Sequence, residues 1–344
     1  MTPCPAPSDF VVAVDFGGTK LDVATATLDG RILATERLQT DAAGGADQAV
    51  ARALDCARAL CATTAVTTGG RLVSAGASSP GIVLEDRILL APNVPGWTEL
   101  PLAARFREGL ELDTVVTGTD VKAATLAEAR WGALAGADPG VFLNLGTGLA
   151  AGLVIGGRIL LGANGAAGEI GYALRGVHDD TGAADGHAPL EEYAGGRALG
   201  ERGTRLLGGA PLSAADVIAR AETDLDARML VDETFAELAV HVANLAVLLD
   251  PARIAVGGGL MNSSGLVLAA LRRRVRQAVP FPPEVVAAHF VHDAALRGAI
   301  ALAIDARAAT AAIVAEPVHP MAPAAAGPPD PDASLDLRKV TETH

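Results

Sequence analysis

Alternating apolar and polar positions predict one short β-meander twice along the chain. Residues 11–33, VVAVDFGGTKLDVATATLDGRIL, give an apolar strand, a tight glycine turn, a second strand, an Asp-Gly turn and a third strand. Residues 141–161, VFLNLGTGLAAGLVIGGRILL, repeat this order with a Gly-Gly turn. We interpret the repeat as a duplicated α/β unit whose two glycine turns face each other across a cleft. The alternative is a chance recurrence of short hairpins.

Helical periodicity follows the meanders. Apolar residues recur every three or four positions between breaks marked by glycine or proline. The predicted helices span residues 46–63, 121–135, 196–208, 213–223, 231–249, 264–278 and 294–314. Beyond them, residues 316–344 are rich in proline and alanine and nearly devoid of large apolar residues, which predicts a disordered tail.

The chain length favours two domains that share a cleft. At 344 residues the chain exceeds the size at which one core usually stops growing. We assign residues 10–118 to a small N-terminal α/β domain, completed by a C-terminal helix near 294–314, and residues 119–293 to a large α/β domain. Half of the residues are hydrophobic but only 3% are aromatic, which suits helices packed on sheets.

Charge and cysteine content disfavour several classes of protein. A formal net charge of −13 disfavours nucleic acids and anionic membranes as partners, and the few aromatic side chains disfavour base stacking. Three cysteines lack ligand spacing, and the first residues lack a basic and apolar leader. We therefore expect a cytoplasmic protein.

The first glycine turn has the composition of a phosphate cradle. Asp15 ends an apolar strand, and Gly17, Gly18, Thr19 and Lys20 follow. Backbone N–H groups beside glycines can approach phosphate oxygens, Thr19 adds a donor, and Asp15 can hold Mg²⁺ through water. The alternative is an ordinary glycine hairpin.

Two further glycine clusters extend this hypothesis. The second turn, Gly146-Thr147-Gly148, repeats the chemistry, so one turn can hold the β-phosphate while the other meets the γ-phosphate. Each turn leads into a strand and not into a helix, unlike Walker A and dinucleotide motifs. The third cluster, Gly257-Gly258-Gly259, ends a buried strand where a nucleoside can approach the backbone, unless it is a plain strand-to-helix turn.

Asp120 is the candidate catalytic base. It follows a predicted strand and precedes the alanine-rich helix at 121–135. In the structural interpretation it caps that helix through the N2 or N3 amide. In the functional interpretation the helix amides keep the carboxylate ionised, and it accepts a proton from a hydroxyl that attacks a phosphoryl group.

Six segments resemble, in order, the ROK family of bacterial sugar kinases. They are VDFGGTK (14–20), SSPGIV (78–83), LLAPNVPGW (89–97), LGTGLAAGLVIGGRILLGANGAAGEIG (145–171), LEEYAGGRAL (190–199) and DPARIAVGGG (250–259). The resemblance covers about residues 10–305. It implies an α/β, actin-like (RNase H-like) ATPase fold with an active-site cleft between two domains, ATP and Mg²⁺ as cofactors, and a possible homodimer.

The resemblance also implies roles for individual residues. Asp120 matches the catalytic aspartate, and the hexose contacts match Gly81, Asn93, Glu169 and Glu191.

Two departures from the family pattern concern the substrate. Thr119 stands where typical members have a sugar-binding asparagine. Tyr172 replaces a histidine that binds the sugar near its anomeric end and also binds a structural zinc. We expect Thr119 and Tyr172 to contact the substrate and to alter the pocket on its anomeric side.

The same comparison predicts that zinc is absent. The three thiolate positions of the family fall on Gly182, Ala184 and Pro189, and a structural zinc site needs four sulfur or imidazole ligands. A solvated acidic loop is the favoured interpretation of this segment. The alternative is a different metal site formed by the histidines and aspartates of this segment, which are His178, Asp179, Asp180, Asp185 and His187.

Together these features predict an ATP-dependent kinase that phosphorylates the exocyclic primary hydroxyl of a hexose-like ring. The altered anomeric side favours a C7-cyclitol such as 2-epi-5-epi-valiolone, on which ROK-like kinases act in antibiotic and glycosidase-inhibitor pathways of secondary metabolism. The alternatives are a glucokinase or amino-sugar (kanosamine-type) 6-kinase and, less favoured because of the acidic charge, a ROK-type sugar-sensing regulator.

Overall fold

The strands form two five-stranded sheets and one small hairpin. The computed structural model describes residues 8–91 and 95–315, so the tail predicted at 316–344 lies outside the described residues. In chain order the strands are β1 Ser8–Phe16, β2 Lys20–Thr27, β3 Ile32–Gln39, β4 Gly69–Ser79, β5 Ile82–Val83, β6 Ile88–Leu89, β7 Val115–Thr119, β8 Gly140–Leu145, β9 Leu149–Ile155, β10 Arg158–Ile159, β11 Arg253–Gly257 and β12 Glu284–Ala287.

Both large sheets have the same topology. The first has the order β3-β2-β1-β4-β7, in which β2 is antiparallel to both β3 and β1, and β4 and β7 run parallel to β1. The second has the order β10-β9-β8-β11-β12, with the same directions. The duplicated α/β unit predicted from the meanders is therefore confirmed.

Each glycine turn leads into a strand, as predicted. Residues 17–19 join β1 to β2, and the Gly17 N–H donates to the carbonyl of Lys20 at 2.9 Å. Residues 146–148 join β8 to β9, and the Gly146 N–H donates to the Gly148 carbonyl at 3.0 Å. The two hairpins thus occupy equivalent places in the two sheets.

The predicted helices are present with small changes at their ends. The α-helices are α1 Gly45–Thr68, α2 Leu102–Leu110, α3 Asp120–Trp131, α4 Glu191–Ala194, α5 Gly196–Leu207, α6 Ala214–Arg220, α7 Leu225–Leu249, α8 Ser264–Ala278 and α9 Ala294–Ala315. Sequence periodicity missed α2 and α4, which are short. It also missed β4, whose small residues are buried on both faces toward the strand end and so do not alternate with polar ones.

Helices cover both faces of each sheet. On the first sheet, α1 packs on one face and α9 on the other, where Leu296 and Ile300 meet Val11. On the second sheet, α7 and α8 cover one face, and α3 covers the other through Val121 and Phe142. Because α3 also packs closely on α9, it lies between the two sheets. The first residue of α3, Asp120, therefore lies where the two halves meet.

Candidate active site

Both glycine turns open onto one cleft between the sheets. This cleft encloses a cavity of about 670 Å³, lined by residues 17–19 of the first turn, residues 147–148 of the second turn and Asp120. The predicted convergence of the two turns is therefore present in the structure. Gly81, Glu169, Tyr172 and Glu191 line the same cavity and belong to the set that the sequence assigned to substrate binding.

Asp120 begins α3 and does not cap it. Thr119 occupies the N-cap position, so the structural interpretation of Asp120 as the N-cap residue is wrong, although its carboxylate accepts the N–H of Val121, the second residue of the helix, at 2.8 Å. The pKa of Asp120 is raised to about 6, mainly by burial and also by Glu169, even though the Val121 amide and Lys122 lower it. The Val121 amide thus favours the ionised carboxylate, in the direction expected of helix amides, but burial has the larger effect on the pKa.

A buried lysine lies close to Asp120 and Glu169. The Lys122 ammonium is 3.6 Å from a carboxylate oxygen of Glu169, and the lysine side chain is only 6% exposed. Burial raises the pKa of Glu169, Lys122 lowers it and Glu191 raises it. Sequence reasoning missed Lys122, because lysine is a common helix residue that is usually exposed, and its burial depends on the packing of α3.

Glu191 forms a hydrogen bond with the residue that follows the second turn. Its carboxylate accepts the Leu149 N–H at 2.9 Å. A β-carbon at position 148 would lie 2.3 Å from the same carboxylate oxygen, so this approach requires glycine. Tyr172 lies in the same region, and burial raises the pKa of its phenol, with further contributions from Glu169 and Glu191.

Thr119 does not line the cavity of the cleft. Thr119 is buried, its hydroxyl accepts the Val83 N–H at 3.3 Å, and it lines a separate cavity of about 510 Å³. The predicted contact between Thr119 and the substrate therefore disagrees with the geometry, because its hydroxyl is oriented by the backbone of β5. Asn93 lies outside the described residues.

The Asp15 carboxylate lies at the end of β1, next to the first turn. The Ser78 hydroxyl donates to it at 2.7 Å. The pKa of Asp15 is raised to about 7, mainly by burial and also by Asp120 and Asp22, even though the Ser78 hydrogen bond lowers it. The side chain of Lys20, which the sequence assigned to phosphate, is exposed, and this residue does not line the cavity.

A second cavity adjoins the cleft on the side of the third glycine cluster. It measures about 630 Å³ and is lined by Gly146, Thr147 and Gly259 together with residues of α5 and α6. Gly257 and Gly258 do not line it. Gly258 adopts a φ of +93°, and a β-carbon there would lie 2.5 Å from the Leu145 carbonyl oxygen, so it allows the two strand ends to meet.

Arg197 is a site residue that sequence reasoning missed. It is the second residue of α5 and lines both the cleft and the adjoining cavity. Its backbone N–H donates to the Thr147 carbonyl at 3.2 Å, which attaches the helix to the second turn. The only sequence signal was an arginine directly after the glycine pair of the segment LEEYAGGRAL.

Packing and ion pairs hold the segment for which we predicted no zinc. The guanidinium groups of Arg175 and Arg202 lie 3.4 and 3.7 Å from the ring centre of Tyr193, and Arg175 also pairs with Glu237 at 3.4 Å. His187 is 3.1 Å from the Glu192 carboxylate. Among residues 8–91 and 95–315, no group of three or more histidine, cysteine, aspartate or glutamate side chains is arranged to hold a metal ion. The absence of zinc stays a prediction.

Comparison with known proteins identifies the family. A model described as the ROK family matches residues 11–306. The chain belongs to the ROK family. Across the part of the chain that the structure describes, no helix is both long and apolar enough to span a membrane.

Named relatives of this ROK protein are sugar kinases. A glucokinase of Streptomyces coelicolor is 30% identical over 318 residues, which cover 85% of this chain and 96% of the relative. An N-acetylmannosamine kinase of Escherichia coli is 30% identical over 296 residues, which cover 85% and 97%. A ROK family glucokinase from Streptomyces griseus in complex with glucose and AMPPNP is 28% identical, with a TM-score of 0.68 over 86% of this chain and 99% of that one.

These relationships establish the general activity and the fold. The ROK protein has the actin-like ATPase fold expected from its sequence, and it is a sugar kinase, a phosphotransferase that uses ATP and a hydroxyl acceptor.

Proposed function

We propose that this ROK kinase transfers the γ-phosphoryl group of ATP to the exocyclic primary hydroxyl of a hexose-like ring in the cleft. One observation carries the proposal: Asp120 shares a single cavity with both glycine turns and with a set of polar side chains suited to ring hydroxyls. That set comprises Glu169, Tyr172 and Glu191.

Asp120 acts as the base and orients the nucleophile. With a pKa of about 6 it is mostly ionised at neutral pH, yet it is more basic than an exposed aspartate. The acceptor hydroxyl gives its proton to Asp120 as its oxygen bonds to the γ-phosphorus, and the bond from that phosphorus to the bridging oxygen of ADP breaks. Such a group contributes roughly 10²–10⁴ in rate.

The glycine turns and the adjoining cavity hold the nucleotide. Thr19, Gly146 and Thr147 border the phosphates, with Gly17, Gly18 and Gly148 leaving room for them, and Gly259 borders the nucleoside. Asp15 would hold Mg²⁺ through water, because a cation beside this buried carboxylate restores its ionised form. When bound, Mg²⁺ neutralises charge on the phosphate oxygens.

We also propose that the chain works as two domains that close over the substrates. Residues 10–118 together with α9 form the smaller one, since α9 completes the core of the first sheet, and residues 119–293 form the larger one. Closure brings the turns together and excludes water from the transferred phosphoryl group. The oligomer that we favour is a homodimer.

Tyr172 supports a C7-cyclitol such as 2-epi-5-epi-valiolone as the substrate. A phenol beside Glu169 and Glu191 fits a ring that lacks a hemiacetal. Thr119, the other substitution that suggested a cyclitol, contacts the Val83 amide and does not add to this argument. The named relatives favour the alternative, glucose or an amino sugar.

The test is ADP release with glucose, mannose, N-acetylmannosamine, kanosamine and a valiolone-type cyclitol, with mass spectrometry of the products. Preferential turnover of the cyclitol supports our choice, and efficient turnover of glucose supports the alternative. Tyr172→His is expected to move activity toward glucose, and Tyr172→Phe separates the phenol hydroxyl from the bulk of the ring. A panel without any phosphorylated product would refute the proposed reaction.

A further inference from the structure

We propose that Arg197 is a catalytic residue that contacts the γ-phosphoryl group as it passes from the nucleotide to the acceptor. This inference rests on the proposed function. Arg197 and Thr147 are the two residues that line both the cleft and the adjoining cavity in the described part of the chain. A phosphoryl group that moves from one cavity to the other must pass this junction.

The backbone fixes Arg197 at the junction. The N–H groups of Gly196 and Arg197 donate to the carbonyls of Gly146 and Thr147 at 3.0 and 3.2 Å. These bonds do not involve the Arg197 side chain, so its replacement leaves the turn attached to α5. The side chain itself is exposed and free to follow the ligand.

Most of the charged side chains that line the cleft are acidic. Asp120, Glu169 and Glu191 line the cleft, and the ammonium of Lys122 is buried against Glu169. Among the described residues that line the cleft, Arg197 is the one lysine or arginine. A phosphate group that enters this acidic cavity therefore meets a single protein cation at the surface of the cavity.

The Arg197 guanidinium is available for a ligand. Among the described residues it takes part in no hydrogen bond or ion pair at contact distance, although its charge acts on Glu192. The pKa of Glu192 is lowered mainly by the Ala188 amide, with a smaller contribution from Arg197. Glu192 already holds His187, at 3.1 Å, so Arg197 is not needed there as a structural partner.

The chemistry of the transfer matches a guanidinium at this point. As the bond between the γ-phosphorus and the bridging oxygen breaks, negative charge grows on the bridging oxygen, which leaves with ADP, and it stays high on the oxygens of the transferred group. A planar guanidinium donates two parallel N–H bonds to such oxygens and stays protonated throughout. The proton of the acceptor hydroxyl goes to Asp120.

Two measurements on Arg197→Gln test this role. The first is steady-state kinetics with the sugar that the wild type phosphorylates, in which kcat is expected to fall about 10²–10³-fold. The second is calorimetric binding of AMPPNP and of ADP. We expect AMPPNP affinity to fall about 10–100-fold while ADP affinity changes little, because ADP lacks the γ-phosphate.

Two further variants serve as controls. Arg197→Lys keeps the charge but loses the fork of donors, so a partial recovery of kcat is expected. Arg273→Gln removes the same charge from an exposed position on α8 that lines neither cavity, and it is expected to match the wild type in both measurements.

The possible failures are distinguishable. Wild-type kcat in Arg197→Gln, or an equal loss of AMPPNP and ADP affinity, overturns the role of Arg197 and leaves the kinase reaction intact. Absence of phosphorylated product from the wild type overturns the proposed reaction, and the comparison of AMPPNP with ADP still decides whether Arg197 contacts the γ-phosphate.

Discussion

The two glycine turns occupy equivalent places in sheets of identical topology, but they are held differently. The first turn is held by the residue after β3: the Thr40 hydroxyl donates to the Gly17 carbonyl at 2.7 Å, and the Thr40 N–H donates to the Thr19 carbonyl at 2.8 Å. The second turn is held by the first amides of α5 and by the carboxylate of Glu191.

This difference shows which structural elements bring charged side chains into the cleft. The first turn is supported by a threonine, which brings no charge to the cleft. The elements that support the second turn also carry Glu191 and Arg197 into the cleft. After duplication of one α/β unit, the first turn therefore supplies mainly backbone groups, while the second also determines which charged side chains meet the substrates.

The largest expected effect comes from the residue between the turns. Asp120→Asn should lower kcat by about 10²–10⁴-fold, because the amide cannot accept the hydroxyl proton. ATP binding should stay near the wild-type value, and the melting temperature at neutral pH should not fall, because the buried, ionised carboxylate is replaced by a neutral amide. Asp232→Asn, an exposed carboxylate on α7, is the matched control. A variant that retains near-wild-type turnover would remove Asp120 from the mechanism.

The second prediction concerns the pH dependence that Lys122 sets. In the wild type, kcat/KM should fall as pH drops through about 6, where Asp120 becomes protonated. Lys122 lowers the pKa of both Asp120 and Glu169. Lys122→Met should therefore shift this fall in kcat/KM, the acidic limb of the pH profile, to higher pH by about one unit, as expected for loss of an adjacent opposite charge.

The control for this shift keeps the charge. Lys122→Arg should leave the acidic limb close to that of the wild type, even if a larger side chain lowers the overall rate. An unchanged limb in Lys122→Met would mean that Lys122 has only a structural role.

The third prediction separates the two turns directly. A β-carbon at Gly148 would lie 2.3 Å from the Glu191 carboxylate oxygen, whereas one at Gly18 would meet no heavy atom within 4 Å. Gly148→Ala should lower the free energy of unfolding by about 1–3 kcal/mol, the usual cost of overpacking. Gly18→Ala should stay within about 0.5 kcal/mol of the wild type. Urea unfolding of both variants measures the difference, and equal losses would contradict it.

Sequence patterns were sufficient for the duplicated meanders, the main helices and the glycine turns, because these depend on local periodicity and turn chemistry. They were insufficient where neighbours distant along the chain decide the outcome. The family resemblance assigned Thr119 to the substrate, but in the fold the Val83 amide of β5 donates to its hydroxyl. Arg197 becomes significant only when α5 attaches to the turn at Thr147. The raised pKa of Asp120 depends on burial between the two halves, which no local pattern encodes.

The smallest expected effect concerns the carboxylate beside the first turn. Burial raises the folded-state pKa of Asp15 to about 7, above its value of 3.8 in an ordinary setting. The folded state therefore favours the protonated carboxyl, and the stability that this group contributes is lost as pH rises through that range. Asp15→Asn keeps a neutral acceptor for the Ser78 hydroxyl. As pH rises from 5 to 8, the stability of this variant relative to the wild type should therefore increase by on the order of 1 kcal/mol, or about 2–4 °C in Tm.

Asp29→Asn is the control, because Asp29 is exposed and its pKa is lowered by the Thr27 hydroxyl, so it stays ionised throughout this interval. Thermal melts at the two pH values measure the gain. If Asp15→Asn and Asp29→Asn behave alike, Asp15 is ionised in the free protein and its charge is already compensated before any nucleotide binds.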